Sequence, residues 1–177
     1  GAVAAAQSDP FGFVVVVTLA GHLRFWRSEI DFACDAGAVI IDGEKPESRP
    51  DFGKLGGAAP RYLVISWNVL AEHVEWLETL NLGWVLVDEA QHSKDLKGTW
   101  SKAVRSICAA ARRVVLLTAT PIPNEVRDFY PLHEMLRPGA PGRFWPKGED
   151  GAWTVPGWAT RNCAAAQKQN EAVALVW

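Results

Sequence analysis

Apolar runs and stretches of helical period take turns along this chain. Residues 13–17 (FVVVV) are β-branched and apolar on both faces, the pattern of a strand covered on both sides. In the next segment Leu23, Trp26, Ile30 and Cys34 recur at helical spacing, while Arg24, Arg27 and Asp31 face away. Residues 38–41, 62–66, 84–87 and 114–118 are further short apolar strands. Between them lie two helical stretches, NVLAEHVEWLETLN, with Asn68 as its predicted N-cap, and GTWSKAVRSICAAARR. The first places Val69, His73, Trp76, Leu77 and Leu80 on one side. A last helix opens at an Asn124 cap and stops at Pro138, and GAVAAAQ at the start reads as the closing turns of an Ala-rich helix. DGEKPESRPDFGKLGGAAP, polar and rich in Gly and Pro, is a loop.

Strands that alternate with helices predict an α/β fold: a doubly wound, mostly parallel sheet with helices on both faces. Residues 1–139 carry this pattern. Residues 140–177, with Trp145, Trp153 and Trp158 among Gly and Pro, have no clear period and read as a connector leaving the core domain.

Composition changes this picture little. The chain has 177 residues, 49% apolar and 21% charged, enough for one domain with a sizeable core. A net charge of −2 gives no overall basic field, so any contact with nucleic acid must be a local patch. Lys94, Lys97, Lys102, Arg105, Arg112 and Arg113 cluster around one helix, ordinarily a solvated face and alternatively a phosphate-backbone patch. The longest apolar run is too short to span a membrane, and no basic-then-apolar leader opens the chain. Cys34, Cys108 and Cys163 are odd in number and far apart, which argues against a zinc site or disulfide frame and for a reducing, intracellular compartment. That compartment is the cytoplasm in a bacterium or phage and the nucleus in a eukaryote. Met135 is the only methionine, and the ends, GAVAAAQ and EAVALVW, read as cut, so a fragment is expected.

The chemistry concentrates in WVLVDEAQH. Four apolar residues lead into Asp88 and Glu89, two adjacent carboxylates at the carboxyl end of a strand, where open α/β sheets bind ligands. There one carboxylate can hold Mg²⁺ through water while the other orients or deprotonates an attacking water. VLVDEAQH resembles motif II, the Walker B element, of superfamily two helicase-like ATPases. Thirty positions on, VVLLTATPIPN resembles motif III of their Swi/Snf-type branch, and EVRDFYPLHEMLRPG is similar to the helix that follows. Upstream, VVVVTLAGHLRFWRSEI, with Trp26 and Glu29, resembles motif Ia, and RYLVISWNVL resembles motif Ib.

The resemblance implies a RecA-like lobe of a DNA-dependent ATPase that couples ATP hydrolysis to movement on duplex DNA, with a second RecA-like lobe in the same protein. It implies Mg²⁺ held through water on Asp88, water activation by Glu89, and a nucleotide-side contact from Gln91. It makes Thr118 and Thr120 the couplers of nucleotide state to DNA, and Thr18, Ser66 and Trp67 the nucleic-acid contacts at strand ends. Leu19 stands where the family has Pro, and Trp67-Asn68 where it has an aromatic-Glu pair. No Gly-Lys-Thr/Ser phosphate loop is present: DFGKLGG continues with Leu and LKGTW has the order wrong. In the family that loop precedes motif Ia by one helix, so it is expected upstream of Gly1, and the chain alone is expected to be inactive. Two rival readings are a non-catalytic DNA- or protein-binding module derived from such a lobe, and the helicase-like subunit of a restriction system.

Overall fold

A computed structural model describes residues 2–8, 12–34, 37–52, 61–95, 97–120 and 128–138, and the backbone of 173–176. The predicted Asn124 cap and the tail tryptophans Trp145, Trp153 and Trp158 lie outside the described residues.

The elements run α1 (Ala2–Gln7), β1 (Phe13–Thr18), α2 (Leu23–Ala33), β2 (Ala38–Ile41), β3 (Tyr62–Ser66), α3 (Leu70–Glu78), β4 (Leu82–Val87), α4 (Thr99–Ala110), β5 (Arg113–Thr118), α5 (Phe129–Leu136) and β6 (Val173–Val176). They build one sheet in the order β2-β3-β1-β4-β5-β6. The first five strands are all parallel, and β6 adds antiparallel on β5. Parallel neighbours need crossovers: α2, α3 and α4 supply three of them, and residues 42–61, whose only helical element among the described residues is a 3₁₀ turn at Pro46–Ser48, join β2 to β3.

β1 sits between β3 and β4, so its side chains meet protein above and below, and Val14 to Val17 are completely buried. Alternation then sorts them. Val14 and Val16 pack with Leu23, Ile30 and Cys34 of the α2 side, together with Tyr62, Val64, Trp84 and Leu86. Val15 and Val17 pack on the opposite face with Leu70 and Leu77 of α3, Val104 and Ile107 of α4, and Leu132 and Met135 of α5. A continuous apolar strand therefore reports two cores, one on each side, each fully buried Val or Leu contributing about 1.5–3 kcal/mol.

One boundary differs from the sequence reading. α3 begins at Leu70 with Val69 at its cap position and no side chain bonded there, rather than at an Asn68 cap. The Val69 amide donates to the Ser66 carbonyl and Trp67 sinks into the core, which turns Asn68 outward, away from the helix amides. Within residues 140–177, only Val173–Val176 are described; they form β6 at the edge of the sheet, with Val173 paired to Thr118.

Candidate active site

The carboxyl ends of β1, β3 and β4 meet where the strand order turns to either side of β1, the crevice in which such sheets bind ligands. Asp88 follows β4 directly. Its amide donates to the Val17 carbonyl at 2.8 Å, a last rung across to β1. Its Oδ2 accepts from the Thr18 hydroxyl at 2.8 Å and from the Trp26 indole N–H at 2.9 Å, and the His22 Nδ1 stands 3.6 Å away. Its Oδ1 accepts from the Glu89 amide at 3.1 Å. The side chain is 19% exposed, so it is gripped from inside yet open on one side.

Glu89 has φ 53 and ψ 45, in the left-handed region that a residue with a Cβ enters at a cost of roughly 1–2 kcal/mol. Among the described residues it is the only non-glycine there. The bend sends the chain from β4 into a short 3₁₀ turn, Ala90–Lys94, and Ser101 at the start of α4 ties that turn by donating to the Ser93 carbonyl. Strain at such a residue persists where surrounding bonds determine it, commonly at functional sites.

From Glu89 a chain of bonds runs across to β5. Gln91 Nε2 donates to Glu89 Oε2, the Thr118 hydroxyl donates to Gln91 Oε1, and the Thr120 amide donates to Thr118 Oγ1 at 3.1 Å. The amide of Gln91 thus uses both ends, one for each segment. Asp88, Glu89, Gln91, Thr118 and Thr120, singled out from sequence, are brought together into one network.

The three residues expected at nucleic acid are buried. Thr18 is completely buried and its hydroxyl is committed to Asp88. Trp67 is 1% exposed, and its indole N–H donates to the Asp88 carbonyl at 3.1 Å. Both side chains support the carboxylate segment. Ser66 is buried at the back of a cavity of about 590 Å³ that is also lined by Leu23, Arg24, Asp42, Glu44 and Asn68. Arg24 and Asn68, exposed at its mouth, are the polar groups that sequence reasoning passed over there. His22 and Trp26 were missed as neighbours of Asp88 because 62 or more positions of chain separate them from it.

The donor set suits a hydrated magnesium ion. One carboxylate has an oxygen fixed from the protein side, and among the described residues its other oxygen carries a single hydrogen bond. Among the described residues no group of three His, Cys, Asp or Glu side chains is assembled for direct ligation of a metal. The phosphate half of a nucleotide site has no counterpart, since the sequence contains no Gly-Lys-Thr/Ser run. Among the described residues no helix is long and apolar enough to cross a membrane.

Comparison with known proteins supports the fold and shows the family. The chain is 28% identical over 125 residues to an uncharacterized ATP-dependent helicase of Mycoplasma genitalium, covering 70% of this chain and 12% of that protein. It is 26% identical over 130 residues to the ISWI chromatin-remodeling complex ATPase ISW1 of Saccharomyces cerevisiae, covering 72% and 11%. The chain therefore spans about an eighth or less of these relatives. The SWI2/SNF2 ATPase core of Sulfolobus solfataricus, solved in complex with dsDNA, shares the fold with a TM-score of 0.60 at 18% identity, over 93% of this chain and 34% of that one. The model of the SNF2-related domain matches residues 6–145, most of the chain, and the protein belongs to that family.

Proposed function

We propose that this chain is the motif II-bearing lobe of a DNA-dependent ATPase that couples ATP hydrolysis to movement along duplex DNA. The carrying observation is the network at the end of β4, where a strained Glu89 next to a locked Asp88 is wired through Gln91 to Thr118. Asp88 would hold Mg²⁺ through its water shell. A bound Mg²⁺ would neutralise charge on the phosphate oxygens. Glu89 orients the attacking water and accepts its proton, with Gln91 steering the carboxylate. The Gln91–Thr118–Thr120 chain would carry the state of the nucleotide toward the partner lobe. The phosphates would be presented by residues outside these 177.

For duplex DNA we assign Arg24 and Asn68, which line the cavity and are exposed, whereas Thr18, Ser66 and Trp67 are buried. The test uses the protein that carries this lobe together with a phosphate loop and a second lobe. Glu89→Gln lowers kcat by about 10²–10⁴-fold and leaves the KM for ATP within a few fold. An unchanged kcat would remove Glu89 from the chemistry and with it this reading.

A further inference from the structure

Two indoles converge on one residue. Trp26 Nε1 donates to the Asp88 carboxylate at Oδ2, and Trp67 Nε1 donates to the Asp88 backbone carbonyl. We propose that Trp26 and Trp67 are positioning residues that hold Asp88 with Oδ2 turned inward and Oδ1 left as the oxygen that faces a cation, an inference that rests on the reading of Asp88 as the Mg²⁺ carboxylate.

The lone-pair count decides which oxygen is available. A carboxylate oxygen accepts about two hydrogen bonds. Oδ2 has both, from Thr18 and Trp26, and His22 flanks it. Among the described residues Oδ1 has one, from the Glu89 amide, and so keeps a second acceptor site on a side chain that is 19% exposed.

The choice of indole matters as much as its position. Its N–H is a donor only, so the bond cannot reverse, and it carries no charge, so the carboxylate keeps its full negative charge for a cation. A lysine or arginine in the same place would orient the carboxylate and neutralise it together. Both rings are held firmly. Trp67 is 1% exposed within the sheet core. Trp26 lies on α2 between Leu23 and Ile30, which anchor that helix face against the sheet. Rotamers locked by packing make a ligand group ready before its ligand arrives. The arrangement also explains why Trp67, at the end of β3, points inward rather than at solvent.

The test is indole ¹H–¹⁵N spectroscopy of the ¹⁵N-labelled 177-residue chain, whose nine tryptophans give nine indole signals. Trp26→Phe and Trp67→Phe each remove one signal and thereby assign it. Asp88→Asn is expected to move the Trp26 signal, because the bond loses its charged acceptor. Mn²⁺, used as the probe, is expected to broaden the Trp26 and Trp67 signals before the other seven. Trp26→Phe is expected to weaken Mn²⁺ binding, read by electron paramagnetic resonance, about tenfold, with thermal unfolding shifted by only a few degrees. A Trp26 signal that stays in place in Asp88→Asn overturns the proposal, as does unchanged Mn²⁺ affinity in a folded Trp26→Phe chain. Should Mn²⁺ broaden no indole while Asp88→Asn still moves the Trp26 signal, the positioning stands and the cation reading of Asp88 fails. If Trp67→Phe does not fold, the Trp26 and Asp88 variants carry the test alone.

Discussion

At the scale of single residues, backbone conformation separates positions that look ordinary in sequence. Glu89 is held at φ 53, so the usual ranking of alanine over glycine should invert there. Glu89→Gly is expected to be more stable than Glu89→Ala by about 1 kcal/mol, measured by urea unfolding of the two variants. Gly12 is the opposite case, a glycine with no freedom to change. Its φ is +78, and a Cβ there would meet the Asn81 carbonyl oxygen at 2.3 Å and the Gly83 amide nitrogen at 2.7 Å. Both contacts are backbone of the segment entering β4, which cannot move without breaking the β1–β4 pairing. Gly12→Ala should therefore cost about 2–3 kcal/mol or more, seen as a lower denaturation midpoint with an unchanged slope. Neither residue stands out by type. Only the path of the chain around each marks it.

At the scale of elements, the contact between α2 and the sheet has a chemical signature. Tyr62 opens β3 and is completely buried against Cys34, at the end of α2. Burial, with Cys34 alongside adding to it, pushes the phenol up from 10.0 to about 12. A raised pKa means that the folded state keeps the proton more tightly than the unfolded chain does. The contribution is complete below pH 10 and is lost as pH rises from 10 toward 12. Thermal unfolding followed by circular dichroism should show a fall in midpoint across that window, and Tyr62→Phe should flatten it. On the other face Arg49 fastens the loop after β2 to α3. Its Nε donates to His73 Nδ1 at 3.1 Å and its guanidinium lies 5.5 Å from the Trp76 ring centre. His73 Nε2 then faces the Gly43 carbonyl at 2.7 Å, so a completely buried histidine is used to staple a loop. Its helical position among apolar residues was legible in the sequence, but its two partners were not.

At the scale of the whole molecule, the carboxylate side of the proposed ATPase site is assembled, and a phosphate loop is not part of this sequence. The carboxylates, the Gln91 bridge and the β5 threonines are in place, while the sequence holds no phosphate loop. The 177-residue chain alone is expected to show no duplex-stimulated ATP turnover in a phosphate-release assay, and measurable turnover would refute the division of labour proposed above. The sequence by itself determined the alternation of strands and helices, the parallel sheet with two covered faces, and the five residues of the site network. These follow from local pattern: β-branched runs demand burial on both faces, and adjacent carboxylates after such a run demand a use. The tertiary structure alone decided what stands around Asp88. Thr18 and Trp67, expected at a phosphate backbone, turn inward because β1 lies between β3 and β4 and the side chains at the ends of β1 and β3 reach Asp88 at the end of β4. His22 and Trp26 arrive from α2, and residues 173–176 return to the edge of β5. Spacing along a chain orders residues on one element, but which elements are neighbours is set by strand order and by crossovers, and only the folded sheet brings residues more than sixty positions apart within hydrogen-bond distance.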